Sequence, residues 1–357
     1  MRIHNYQNIG KVYIGGSLVN KLEHLQEKIS NKLFHQVDKK IHPKEAERLE
    51  RLKNNHEYDC LEYDSTHSKL RRITRTSSDF NDSVIIFSGG VGFGTKKFEY
   101  FDNILKELNT LLALNNTHLL FVRGNDDDPS YFSEHKISYS NIKTLEDYSL
   151  VKFRNFNCLC VGGGISFDRK WKQTQEKRIN RTLYWENERT VFDKTVLDEI
   201  LSNEDIFCVI THDSPSFIGE GVESYNDVVW AKCDKDLVKD AVSQRLAIDD
   251  IYHEFKTFSK KPLVWAFSGK CEDFYNNDGI QFISKSAEGL CDLSHQTNLL
   301  PNSGCNNAIE TLESNLVGML CDDNEMIPFD FGEDNFVDDE YLEGLRKRLD
   351  ELTALRF

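Results

Sequence analysis

The stretch "VRGNDDDPSYF", residues 122 to 132, places Asn125 and three consecutive aspartates directly after a glycine that closes an apolar run. Amide and carboxylate oxygens are hard ligands, suited to divalent cations. Two other stretches carry groups of related use. "VITHDSP" (209–215) sets His212 at the end of an apolar run, and "FSGKCE" (267–272) sets Lys270 and Glu272 after a glycine. Imidazole, amide and carboxylate together could hold a metal that activates a water. A lysine in such a place would instead offer a fixed positive charge to a phosphate or to a carboxylate.

The elements that must position these groups recur along the chain. "KVYIGG" (11–16), "SVIIFSGG" (83–90), "HLLFVRGN" (118–125), "NFNCLCVGGG" (155–164), "DIFCVITHDSP" (205–215) and "PLVWAFSGK" (262–270) are each an apolar strand ending in Gly, Asn or His. Between them, residues 18–33 show helical spacing through Leu18, Leu22, Leu25 and Ile29, and residues 96–114 form an amphipathic helix. Strands alternating with helices predict an α/β core with a largely parallel sheet. In such sheets function collects at the carboxyl ends of the strands. The ends "IGGSL", "SGGVG", "RGNDD", "ITHDSP" and "SGKCE" are therefore expected to converge on one site.

Residues 34–83 show little periodicity beyond a charged helix expected near 43–57, begun by Pro43. Their end, "SKLRRITRTSSDFNDS", is basic and then polar and reads as a loop. Lys69, Arg71, Arg72 and Arg75 within it could touch nucleic acid or the chain's own acidic tail, with a solvated loop as the plainer reading. That tail, 294–357, holds 14 acidic and 4 basic residues, a net of −10 out of −15 for the whole 357-residue chain. It opens as a linker, mixes acids with Phe329, Phe331, Phe336 and Tyr341, and ends in an amphipathic helix expected over 340–357. Such an acidic chain is a poor general binder of nucleic acid. No apolar run reaches the roughly 18 to 20 residues of a membrane span, and the N-terminus lacks a signal-peptide core. Nine scattered cysteines without a CxxC pair fit buried thiols in a reducing compartment, so a cytoplasmic location is expected. Cys158 and Cys160 should share one face of a strand.

The ordered strand ends, together with "GGVGFG" (89–94), "VRGN-DDPSYF", "CVGGGISFDRKW" (160–171), "LYWENE" (183–188) and "VITHDSP", resemble the calcineurin-like metallophosphoesterases, in particular small bacterial and phage-type members. The likeness spans roughly residues 11 to 293. It implies a four-layer αββα sandwich of two mixed β-sheets over residues 1–293, with 34–83 as an insertion and 294–357 as an extension. It also implies a centre of two divalent metals, Mn²⁺ or similar, which generate a hydroxide and clamp a phosphoryl group.

Against that family pattern the ligand positions are mostly empty. Gly16 and Leu18 stand where the family has Asp-x-His. Gly90 replaces the bridging aspartate, and Asp126 replaces the histidine of Gly-Asn-His-Asp. Lys270 and Glu272 replace the histidines of Gly-His-x-His. Of seven expected ligands, Asn125 and His212 remain. No intact catalytic set and no cofactor is therefore expected. Lys270 is expected beside Asp126 and Glu272, either in a salt-bridge network that replaces the metals, or binding a phosphate without metal alongside Arg123, Arg169, His212 and Asn125. Three functions follow as expectations. The first is a catalytically degenerate scaffold or regulatory subunit, meeting a protein partner through 34–83 and 294–357. The second is a metal-independent sensor of a phosphorylated small molecule or nucleotide. The third is a residual metal-dependent hydrolase. The run Asp126–Asp128 reads as a solvated turn.

Overall fold

A computed structural model describes residues 2–18, 22–23, 25–26, 34–39, 61–64, 69–75, 82–218, 234–268, 273–285 and 290–293. Among the described residues, fifteen strands fall into three sheets. A five-stranded sheet has the order β15-β2-β6-β7-β8, where β2 is Lys11–Gly15, β6 Ser83–Phe87, β7 His118–Phe121, β8 Ile142–Thr144 and β15 Leu290–Asp292. Its strands are parallel except β15, which runs against β2. A seven-stranded sheet has the order β1-β9-β10-β11-β12-β14-β13. Here β1 is Ile3–Tyr6, β9 Ser149–Phe153, β10 Asn157–Val161, β11 Cys208–Thr211, β12 Val264–Ser268, β13 Asp273–Asn277 and β14 Ile280–Lys285. β10, β11, β12 and β14 are parallel to one another, whereas the β9–β10 and β13–β14 pairs are antiparallel.

The period of two along each strand builds the layers. Val12, Ile14, Val84, Ile86, Leu120 and Val122 point to one side. There they meet Cys158, Cys160, Cys208, Ile210, Val264, Ala266 and Ile283 from the other sheet in a single apolar cluster. The alternate residues Tyr13, Ile85, Phe87, Leu119 and Phe121 point the other way. They pack on Phe101, Ile104, Leu105, Leu108 and Leu112 of α1 (Phe98–Leu114). On the far side of the larger sheet, Leu150, Leu159, Val209, Trp265 and Phe282 meet α4 (Lys194–Asn203) and α5 (Leu237–Thr257). Helix, sheet, sheet and helix thus form the expected αββα sandwich, with three apolar layers between them. α4 begins where the Asp193 carboxylate accepts the N–H of Val196 at 3.0 Å, satisfying one of the donors a helix start leaves open. The short α2 (Ser130–Ser133) and α3 (Arg169–Ile179) lie in the connections that follow β7 and β10.

The insertion departs from expectation. Residues 69–75 are not a loop but the central strand, β5 (Lys69–Arg75), of an antiparallel three-stranded sheet with β3 (Phe34–Lys39) and β4 (Leu61–Asp64). Strand pairing supplies partners for backbone groups that a charge-rich sequence leaves unannounced. The helices expected near 43–57 and over 340–357, and the whole tail 294–357, lie outside the described residues. Cys158, Cys160, Cys208 and Cys291 are buried free thiols. Among the described residues no helix is long and apolar enough to cross a membrane.

Trp265 is fully buried on β12, stacks on Phe282 with ring centroids 6.0 Å apart, and donates its indole N–H to Thr211 Oγ1 at 2.9 Å. Trp265→Ala should cost about 3–5 kcal/mol of stability. It should be read as a lower urea midpoint with an unchanged slope.

Candidate functional site

The carboxyl ends of the strands from both sheets meet, as the sequence predicts. Ser88 N donates to Gly15 O at 3.0 Å, Val122 N to Phe87 O at 2.9 Å, and Gly163 N to Arg123 O at 2.8 Å. Ser268 N donates to His212 O at 2.9 Å, and Ser17 N reaches Ser268 Oγ at 3.0 Å, closing the ring between the first and last of these ends.

At the centre of the ring, the aspartate run is not a solvated turn. Asp127 is completely buried. Its Oδ1 accepts from Gly92 N at 2.8 Å and Phe93 N at 3.1 Å, and its Oδ2 from Gly124 N at 2.9 Å and Gly90 N at 3.0 Å. Burial pushes this carboxyl upward, and the amides pull it down. The three aspartates part company: Asp127 holds the loop after β6, Asp128 accepts Ser130 N at 2.9 Å just before α2, and Asp126 turns toward α3. Gly90 sits at φ +67°, and a Cβ on Gly124 would lie 2.3 Å from Gly90 N. The two backbones approach here closely enough that Gly124 has no room for a side chain.

The two remaining ligand-type residues bond each other. His212 Nε2 lies 2.9 Å from Asn125 Oδ1, and its Nδ1 lies 2.6 Å from Ser88 O. Asn125 Nδ2 also reaches Ser166 Oγ at 3.3 Å. Leu18 is buried in the cluster beneath α1, and its N–H donates to Gly89 O. The neighbouring Gly16 is likewise buried.

Asp126 has a cationic partner, but one the sequence reading missed. Lys172 of α3 pairs with Asp126, lies 3.1 Å from Asp168, and donates to Ser166 Oγ at 2.9 Å. Burial opposes its charge, yet Asp126 and Asp168 outweigh that and raise its pKa. Lys270 and Glu272, expected beside Asp126, lie outside the described residues. Arg123 and Arg169, named above as candidates for binding a phosphate beside Lys270, have carboxylate partners. Arg123 pairs with Asp147 at 2.7 Å and donates to the Glu188 carbonyl at 2.5 Å. Arg169 pairs with Asp234 at 2.5 Å and Asp240 at 2.6 Å. Burial works against its charge, but the two carboxylates raise its pKa further. Such saturation follows from burial, since a charge taken from water needs partners.

Glu188, also missed, closes the set. It is 1% exposed and accepts from Ser166 N at 2.8 Å and Ser166 Oγ at 2.6 Å. Only its place in "LYWENE", next to the glycine-rich end of β10, hinted at it. Among the described residues no three His, Cys, Asp or Glu side chains cluster as a metal set.

Comparison with solved structures finds the crystal structure of TT1561 of Thermus thermophilus. It is 11% identical, covers 81% of this chain and 96% of that chain, and has a TM-score of 0.39. No family model and no curated protein matches the chain. The fold itself rests on sheet order and on the three apolar layers.

Burial pushes the Glu188 carboxyl up to about 7, against the pull of its Ser166 hydrogen bonds. Between the ordinary glutamate value and 7 the folded state binds more protons than the unfolded, so stability falls as pH rises. Urea unfolding should show wild type losing up to about 3 kcal/mol relative to Glu188→Gln between pH 4.5 and 7.5. Parallel profiles for the two proteins would refute this placement of the carboxyl.

Proposed function

We propose that this protein is a catalytically degenerate metallophosphoesterase-type fold that serves as a protein-binding scaffold or regulatory subunit. The observation that supports the reading most is the mutual engagement of the would-be ligands. His212 and Asn125 spend their side chains on each other and on Ser88 and Ser166, while Asp126 is neutralised by Lys172. Two divalent ions would need several hard oxygen and imidazole donors facing a common space. Gly16, Leu18 and Gly90 bring no side-chain donor, and the buried ammonium of Lys172 would repel a cation beside Asp126. The described residues do not fit the metal pair.

A sensor of phosphorylated ligands finds less support, because Arg123 and Arg169 already have carboxylate partners. In the scaffold reading the partner-binding additions are 34–83, with its separate three-stranded sheet, and the acidic 294–357.

Protein incubated with Mn²⁺ and freed of unbound ion should retain no stoichiometric metal. It should show no turnover of a generic phosphodiester or phosphomonoester. About two ions per chain together with turnover would overturn the proposal.

A further inference from the structure

α3 divides its cations between two faces. Arg169 and Lys172 turn inward, to Asp234 and Asp240 and to Asp126 and Asp168 respectively. Lys170, Trp171, Thr174, Lys177 and Arg178 follow the spacing of one outer helical stripe. Arg181 comes just after the left-handed cap at Asn180. Lys170, Lys177, Arg178 and Arg181 are exposed, as is Ile179 at 46%, and Trp171 is half-buried between them.

Three nearby carboxylates are occupied, and one of them, Asp234, also feels the charge of Lys170. Glu176 accepts the N–H groups of Leu183 and Tyr184 at 2.6 and 2.8 Å, Asp168 faces Lys172, and Asp234 is held by Arg169 through both oxygens. Lys177 and Arg178 lie in the last turn, where the helix dipole favours cations, but Lys170 lies in the first turn, where it does not. Helix stability alone therefore does not account for the stripe. The result is a basic face around a half-buried tryptophan, on a chain of net charge −15.

We propose that this face is the docking site of the chain's own segment 322–341. That segment has nine acidic and no basic residues between 322 and 340, interleaved with Phe329, Phe331 and Phe336 and followed by Tyr341. Its charge complements the four cations, and its aromatic rings suit the part of Trp171 that is exposed. Reach is sufficient: 28 residues separate Leu293 from Asp322. As a flexible coil they span about 30 Å, and extended about 95 Å. A globule of this chain length has a radius of gyration of about 20 Å. A polyanionic nucleic acid is the poorer occupant, because the rest of this acidic chain repels it. The inference stands apart from the scaffold reading. If both hold, a partner that binds the tail must first displace it from α3.

The test is zero-length carbodiimide coupling of the full-length protein, mixed from equal parts of ¹⁴N- and ¹⁵N-labelled chains, followed by peptide mass spectrometry. Lys170 and Lys177 should couple to carboxylates of 322–340 within one isotope label. Arg178→Glu with Arg181→Glu, which keeps both lysines, should lower that coupling about fivefold, corresponding to about 1 kcal/mol from two exposed pairs. An unchanged melting temperature would show the variant is folded. Coupling of the tail to other lysines, coupling of mixed label, or no coupling would each overturn the proposal. So would binding of a fluorescent single-stranded oligonucleotide that the same double variant abolishes.

Discussion

Asp127 accepts four backbone N–H groups from the loops after β6 and β7. These loops make tight glycine turns, so their amides point inward rather than along a strand ladder. A buried amide without a partner costs about 1–3 kcal/mol, and one carboxylate answers four of them. The rest of the strand-end ring is built against this cradle. Gly90 and Gly124 approach because both loops are held by the same carboxylate, and His212 is placed by the carbonyl of Ser88 just before the first of them.

Around that cradle the chain arranges charge as a closed set. Lys172 answers Asp126 and Asp168, Arg169 answers Asp234 and Asp240, and Arg123 answers Asp147. Here ammonium and guanidinium groups arrive on side chains, with α3 carrying two of them. A lysine brings its own tether and needs no open coordination position. This is consistent with loops that pack backbone to backbone.

Much of this was legible in the sequence. Apolar runs closed by Gly, Asn or His marked β2, β6, β7, β10, β11 and β12, because strands buried on both faces must be apolar throughout. The lack of side-chain donors at Gly16, Leu18 and Gly90 was equally plain. Asp127 was not legible: its donors at Gly90, Gly92 and Phe93 are 34 to 37 residues away, and its neighbours are acids that look solvated. Lys172 hid among the charges of "RKWKQTQEKRI", where nothing local says which cation turns inward. Its partner Asp126 is 46 residues distant. β5 was missed because four cations in seven residues resemble a loop, although a strand tolerates them when pairing satisfies its backbone.

Lys172, a cation tethered to α3, holds the loop after β7 through Asp126. A double-mutant cycle on urea unfolding tests this role, using wild type, Asp126→Ala, Lys172→Ala and the double variant. The two positions should couple by about 1–3 kcal/mol. A coupling of zero would contradict that role, since the two groups would then contribute independently and the loop would owe its position to something else.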